Sequence, residues 1–322
     1  MAGVERRGQA LRVLRVSLLA ALAMTAFAAN SVLARLALGG GEIDPATFTL
    51  LRLLAGASVL VLIVRKPAAV DRRVWAGAGS WPSAVLLLTY AVSFSYAYVN
   101  LGAATGALVL FAVVQTVMFT AAVRSGERPG LAGWSGLALA VAGLVMLVAP
   151  GVSRPDPIGA LLMSVAGVAW AGYTLRGRGS GRPVLVTAGN FLRSVPLAVA
   201  LWVPVLLLRR EAVHVGAEGA VLAVISGAVA SGLGYALWYT VLPWLTRVQS
   251  GIVQMAPAPL AAIGGLAVLG EPITANVLLS SLLILSGVLI GVLRPHRKAH
   301  DRRRRGLRHC ADRDAAGVGG FR

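Results

Sequence analysis

Two arginines set among apolar residues are the first candidates for chemistry in this sequence. Arg52 lies in Leu50-Leu51-Arg52-Leu53-Leu54 and Arg193 in Phe191-Leu192-Arg193-Ser194-Val195. A guanidinium stays charged and offers a planar fork of donors to a carboxylate or phosphate. The pair can act as cationic contacts for an anionic or zwitterionic solute. The alternative is that each snorkels to its nearer membrane interface or caps helix carbonyls, since each sits close to an end of its apolar stretch. Tyr235, Trp238 and Tyr239 recur at i, i+3 and i+4, which is one helix face. They can wall a ligand cavity; interfacial anchoring suits Trp81 and Trp244 better than the deeper Tyr235. Asn30, Tyr96 and Tyr173 complete a candidate solute-binding set with these five residues. Further polar side chains, among them Tyr90, Ser95, Asn190 and Gln254, cluster in the same apolar stretches.

Missing chemistry narrows the function. No G-x-x-x-x-G-K phosphate loop occurs, so ATP is not expected to drive the protein directly. No H-E-x-x-H or G-x-S-x-G occurs, and the four histidines (His214, His296, His300, His309) fall outside the apolar stretches. A zinc enzyme or a serine hydrolase is therefore not expected. No Asp or Glu lies deep in an apolar stretch, which leaves no carboxylate proton relay. We expect no catalytic residue, no metal site and no cofactor. The single cysteine, Cys310, excludes an intramolecular disulfide framework.

The elements that must position these residues are about ten apolar stretches, near 15–37, 46–64, 83–100, 104–123, 131–149, 157–175, 186–208, 219–242, 248–269 and 273–293. About 20 residues of helix cross a hydrocarbon core of about 30 Å. The chain is 57% hydrophobic and 13% charged, with mean hydropathy +0.78. Segments such as Leu137–Val148 are apolar on every side, which excludes the period-two pattern of a barrel strand. The expected fold is an all-α integral membrane protein with ten transmembrane helices. The first apolar run is long enough to be a span, so no cleavable signal peptide is expected.

A net charge of +18 would suit nucleic acid, but its placement points to lipid instead. With an even number of spans and both termini cytoplasmic, most of the 30 Lys and Arg fall on the cytoplasmic side. The loop 39–45 on the outer side holds Glu42 and Asp44 and no Lys or Arg. This is the positive-inside pattern of a multi-pass protein of the cell membrane. Residues 1–14 form a cytoplasmic N-terminus. Residues 294–322, with Arg302–Arg305, form a basic, disordered cytoplasmic tail able to touch anionic headgroups.

The second half reads as a copy of the first. Ala26-Phe27-Ala28 matches Ala169-Trp170-Ala171, Leu51-Arg52 matches Leu192-Arg193, Gly126-Glu127 matches Gly270-Glu271 and Gly143 matches Gly287. The spacing stays between 141 and 144 positions. Five spans per copy is odd, so residues 15–149 and 157–293 become two inverted-topology five-helix repeats. Such symmetry lets two halves exchange inward- and outward-open states around a midplane site. Glu127 and Glu271 are read as caps at helix N-termini, and Ser226, Ala230 and Gly234 as small residues for close packing.

Several motifs also resemble a known family. These are Asp44-Pro45-x-x-Phe48-x-x-x-Arg52, Gly126-Glu127-Arg128-Pro129, Gly234-Tyr235-x-x-Trp238-Tyr239, and Ala258-Pro259 with Leu269-Gly270-Glu271-Pro272. Over residues 15–293 the chain resembles a ten-helix member of the drug/metabolite transporter superfamily with two EamA-type domains. The resemblance implies a secondary transporter, an exporter of a small organic metabolite or drug working by alternating access. Val114-Gln115 stands where the first half of that family has a proline. A membrane-embedded enzyme would need paired acid and base groups in the spans. A non-transporting scaffold or receptor would leave the inverted repeat without a purpose.

Overall fold

Apolar runs with no internal partner strands must satisfy their own backbone groups, and they do so as helices. The computed structural model describes residues 2–65, 75, 77–126, 130–148, 156–179, 181–270 and 275–293. The first half contains α1 (Ala2–Gly39), α2 (Pro45–Arg65), α3 (Trp81–Ala97), α4 (Ala103–Arg124) and α5 (Leu131–Val148). The second begins with α6 (Pro157–Gly177) and α7 (Pro183–Leu208). Next comes a rod built of α8 (Ala217–Ile225), a π-helical segment (Ser226–Leu233) and α9 (Gly234–Val241). Then follow α10 (Arg247–Val253), α11 (Pro257–Leu269) and α12 (Ala275–Leu293). Among the described residues no strand forms; one isolated antiparallel bridge joins Ile43 and Val215.

Seven helical stretches among the described residues are long and apolar enough to cross a membrane. They hold α1, α2, α4, α6, α7, the α8–α9 rod and α10–α11. The chain is a multi-pass membrane protein. The stretches expected near 83–100, 131–149 and 273–293 are also helical, as α3, α5 and α12. α3 has 17 residues, about 25 Å of helix. Large apolar side chains such as Leu62, Leu161 and Leu207 face outward, as lipid permits and water does not.

Helix starts carry recognisable caps. Asp44 accepts from the Thr47 amide at 2.9 Å ahead of Pro45. Asp156 accepts from the Gly159 amide at 2.6 Å ahead of Pro157. Thr246 and Gln249 close a reciprocal capping box on α10. Gly126 (φ +79°) and Gly270 (φ +67°) follow the ends of α4 and α11 in the left-handed region, which a side chain resists. Glu127 and Glu271 themselves, and the basic tail, lie outside the described residues. α1 begins at Ala2, so residues 2–14 are helical, and Arg12 and Arg15 are exposed on α1.

Packing runs chiefly between the halves. α2 lies against α7; α3 lies against α6 and α7; α4 lies against α6, α10 and α11. α1 packs on the α8–α9 rod and on α11, and α2 packs on α8 and the π-helical segment.

Candidate functional site

Phe27 of α1 and Trp170 of α6 meet edge to face at the centre of the helix bundle, 5.3 Å between ring centroids. Tyr235 packs on both, at 5.6 and 4.8 Å, and Tyr90 lies 5.2 Å from Trp170. Edge-to-face and tilted arrangements suit the ring quadrupoles. The space these rings enclose with Phe94 and Phe111 is about 10 Å³, no more than about one water can use. Larger spaces open on the flank of α4. One of about 450 Å³ is lined by α4 and α5 residues with Met255. Another, of about 630 Å³, runs past Thr120 to Arg124 and Arg247.

One polar layer adjoins the rings on the side of Arg52. Arg52 Nε donates to Ser231 Oγ at 3.0 Å and Nη2 to Tyr90 Oη at 3.1 Å. Its guanidinium carbon lies 5.2 Å from the Tyr90 ring centroid and 4.8 Å from that of Phe94, within cation–π range. Asn30 donates to Tyr90 Oη at 3.4 Å and accepts from Ser226 Oγ at 2.6 Å. The π-helical segment delivers both serines, and its wider turn lets Gly227 lie against the Arg52 backbone. A Cβ on Gly227 would stand 2.2 Å from the Arg52 carbonyl. π-helical turns frequently mark functional sites.

A second polar layer lies on the other side of the rings. Asn190 donates to Tyr173 Oη at 3.4 Å. Tyr173 packs 5.5 Å from Tyr239, and Trp238 lies 6.2 Å from Phe27. Among the described residues, Trp238 Nε1 and the Tyr239 hydroxyl are buried without a hydrogen bond of normal geometry. Trp170 Nε1 donates to Gln254 at 2.6 Å, and Gln254 in turn donates to the Ser250 carbonyl at 3.0 Å. Gln254 thereby holds the break between α10 and α11, where Pro257 and Pro259 would interrupt a continuous helix.

Both ends of the α2–α7 pair are clasped by a loop from the opposite half. At the α2 start, Asp44 N donates to the His214 carbonyl at 3.0 Å and Gly216 N to the Glu42 carbonyl at 2.7 Å. About two turns into α7, Asn190 Oδ1 accepts from Ser80 N at 2.8 Å. There Arg193 donates to the Ala78 carbonyl and, at 3.0 Å, to that of Gly189.

Of the eight candidate residues, Asn30, Arg52, Tyr173, Tyr235, Trp238 and Tyr239 gather around the central rings. Arg193 sits apart, half-buried at the clasp. Tyr96 is 39% exposed on the outside of α3 and does not join them. Arg35 donates to the Tyr98 and Val99 carbonyls at the end of α3. Tyr90 and Ser231 stand in the centre although neither belongs to that set of eight. Ser226 acts as a hydrogen-bond donor as well as a small packing residue. Tyr90 is visible in the sequence as a polar residue of its stretch; Ser231 carries no distinguishing signal there.

Comparison with known proteins fits this arrangement. A family model described as EamA-like transporter family matches residues 14–149 and 157–293. Uncharacterized protein PA1977 of Pseudomonas aeruginosa is 45% identical over 279 residues, 86% of this chain and 94% of that protein. A solved chain titled only as a crystal structure of a protein shares the fold, with TM-score 0.66 at 21% identity. The superposition covers 88% of this chain and 99% of that one.

Proposed function

Because the chain belongs to the EamA-like transporter family, we propose that it is a secondary carrier exporting a small organic solute across the cell membrane. Its two halves are inverted five-helix repeats, both termini are cytoplasmic, and the solute binds among the central rings. The supporting observation is that helix packing survives exchange of the halves. Swap α1–α5 for α6, α7, the α8–α9 rod, α10–α11 and α12. Then α3 on α6 becomes the rod on α1, α4 on α6 becomes α11 on α1, and α3 on α7 becomes the rod on α2. α2 on α7 and α4 on α10–α11 map onto themselves. Phe27 and Trp170, counterparts in the two halves, touch. This exchange supports a two-fold relation between the halves, which an odd number of spans per half would set in the membrane plane.

The carrier cycles between states open to opposite sides. Opening either side breaks one clasp, while the other clasp and the aromatic pair keep the far side shut. With both clasps closed and about 10 Å³ between the rings, the structure represents an occluded form. The six gathered candidates with Tyr90 and Ser231 line the site. Counterflow in proteoliposomes tests the reading: a carrier exchanges labelled against unlabelled solute without ATP. Failure of every small metabolite in a broad panel to exchange would sink it. Reporter fusions at residues 70 and 180 and at the C-terminus should read cytoplasmic, and one at 213 external; an external C-terminus excludes the inverted repeat.

A further inference from the structure

Arg52 is a buried cation that its surroundings leave incompletely satisfied. The residue is 1% exposed, yet among the described residues Nη1 has no hydrogen-bond partner. The groups around the fork are the Ser231 and Tyr90 hydroxyls and the faces of Tyr90 and Phe94. The Tyr235 hydroxyl also interacts with this fork, while among the described residues Nη1 itself makes no hydrogen bond of normal geometry. None of these is a carboxylate. An arginine cannot shed its proton to escape the cost of burial. Burying a charge is costly unless it is paired, and an unmet donor on it adds to that cost. The unmet Nη1, together with a neighbouring donor freed from its hydroxyl partner, can bind a planar anion in two-point fashion. Its counterpart Arg193 is not equivalent, because it donates to the carbonyls of Ala78 and Gly189 at the clasp.

Resting on the carrier reading, we propose that the solute is a monoanion, a single carboxylate on a compact apolar body, and that Arg52 binds the carboxylate. As the halves part, the carboxylate takes Nη1 and displaces one of the hydroxyls. The apolar body lies against Phe27, Trp170 and Tyr235. One guanidinium with hydroxyl neighbours suits one negative charge; a phosphate dianion would call for a second cation in the layer.

The test uses purified full-length protein and matched probes of equal shape and different charge. These are benzoate with benzamide, and 3-phenylpropanoate with its amide. At least one acid should raise the wild-type melting temperature saturably, by about 3 °C or more at ten times its dissociation constant, and its amide should not. Arg52→Gln should abolish that shift. Arg52→Lys should weaken binding at least about tenfold, because an ammonium lacks the fork. Inorganic phosphate and phosphatidylglycerol, the other oxyanion sources, should not reproduce the shift. The proposal is overturned if no acid shifts the wild type, if an amide matches its acid, if either variant responds like wild type, or if phosphate or the lipid does as well as the carboxylates. The acid–amide comparison on wild type stands even if both variants fail to fold. Counterflow separates this proposal from the carrier reading. Exchange of a neutral or cationic solute that survives Arg52→Gln refutes the anion and keeps the carrier. Acid binding without exchange of any solute keeps the site and refutes the carrier.

Discussion

In the first half of the chain, Arg52 is buried over two aromatic rings with one donor unmet. Its counterpart in the second half, Arg193, is half-buried and donates to two backbone carbonyls. The backbone differs in the opposite sense. α4 runs unbroken from Ala103 to Arg124, whereas the matching stretch is split into α10 and α11 by Gln254, Met255 and Ala256. Gln115 stands where the second half has Pro259, so no proline removes a helical N–H there. α3 is regular, whereas the rod that matches it has a π-helical middle. Within the central site, the unpaired charge comes from a regular helix and the adjustable backbone from the other copy. Duplication supplied two equal frames, and the copies then diverged. One copy carries its buried cation on a regular helix, and the other contains the π-helical and interrupted turns.

The largest expected effect tests whether the clasps open in turn. Ile43 and Val215 are opposite residues of an antiparallel bridge. Such pairs bring Cα atoms to about 4.5–5.5 Å, within disulfide reach. In a Cys310→Ala background, Ile43→Cys with Val215→Cys should cross-link on oxidation and bring exchange down to the protein-free background. Reduction should restore it, and each single cysteine should exchange in both conditions. Undiminished exchange by the oxidised pair would show that this clasp stays shut throughout transport.

Much of this contrast lay beyond the sequence, for specific reasons. Helices were legible because each apolar stretch matches a membrane's thickness. The repeat was legible because Phe27 and Trp170, or Gly126 and Gly270, keep their spacing. Tyr90 and Tyr96 were not separable: six residues is about 600° of helix, which turns them to different faces, and α3 is too uniformly apolar to announce its inner face. Serines and threonines in helices commonly bond their own backbone, as Ser58 does to Leu54 and Thr25 to Ala21. Ser226 and Ser231, which reach across helices, look no different in sequence. The unequal fates of Arg52 and Arg193 depend on where the loop of Ala78 docks, a purely tertiary fact.

Gly227→Ala probes the adjustable side. The new methyl meets the Arg52 carbonyl at 2.2 Å and the Ala55 Cβ at 2.8 Å, and backbone cannot give way as a flexible side chain can. Overpacking of this kind costs about 1–3 kcal/mol. The variant should melt several degrees lower and lose carboxylate-dependent stabilisation, since the Ser231 turn shifts off Arg52. The matching small-to-larger change at an exposed position of the rod, Ala217→Val, should do neither. Equal losses from both would assign the Gly227 effect to the helix in general.

Asn190→Ala is expected to act on the clasp of the second half. It removes the acceptor for Ser80 N and the donor to Tyr173. Leaving a buried donor unmet costs about 1–3 kcal/mol. Because that clasp is a closed-state contact, exchange should persist and its balance should move toward the form open at the α7 start. Accessibility of a cysteine placed at Ser80 to a membrane-impermeant maleimide, in a Cys310→Ala background, should therefore rise. Unchanged labelling would mean that the loop is held mainly by Arg193.

The smallest effect should come from Arg193, and it bears most directly on the comparison. The acceptors described for it are carbonyl oxygens, which a single ammonium can also satisfy. Partial exposure lowers the cost of an unmet charge. Arg193→Lys should therefore retain stability and exchange close to wild type, while Arg193→Gln should loosen the clasp as Asn190→Ala does. At Arg52 the order of tolerance differs: the planar fork stacks on Phe94 and Tyr90 while donating sideways to Ser231, and an ammonium cannot do both. Lysine should rescue the second site and fail at the first. Measuring exchange rate and melting temperature for both Lys variants decides the matter. Equal failure of the two would return Arg193 to solute binding and make the halves functionally alike; equal rescue would reduce Arg52 to a point charge with no fork to offer a carboxylate.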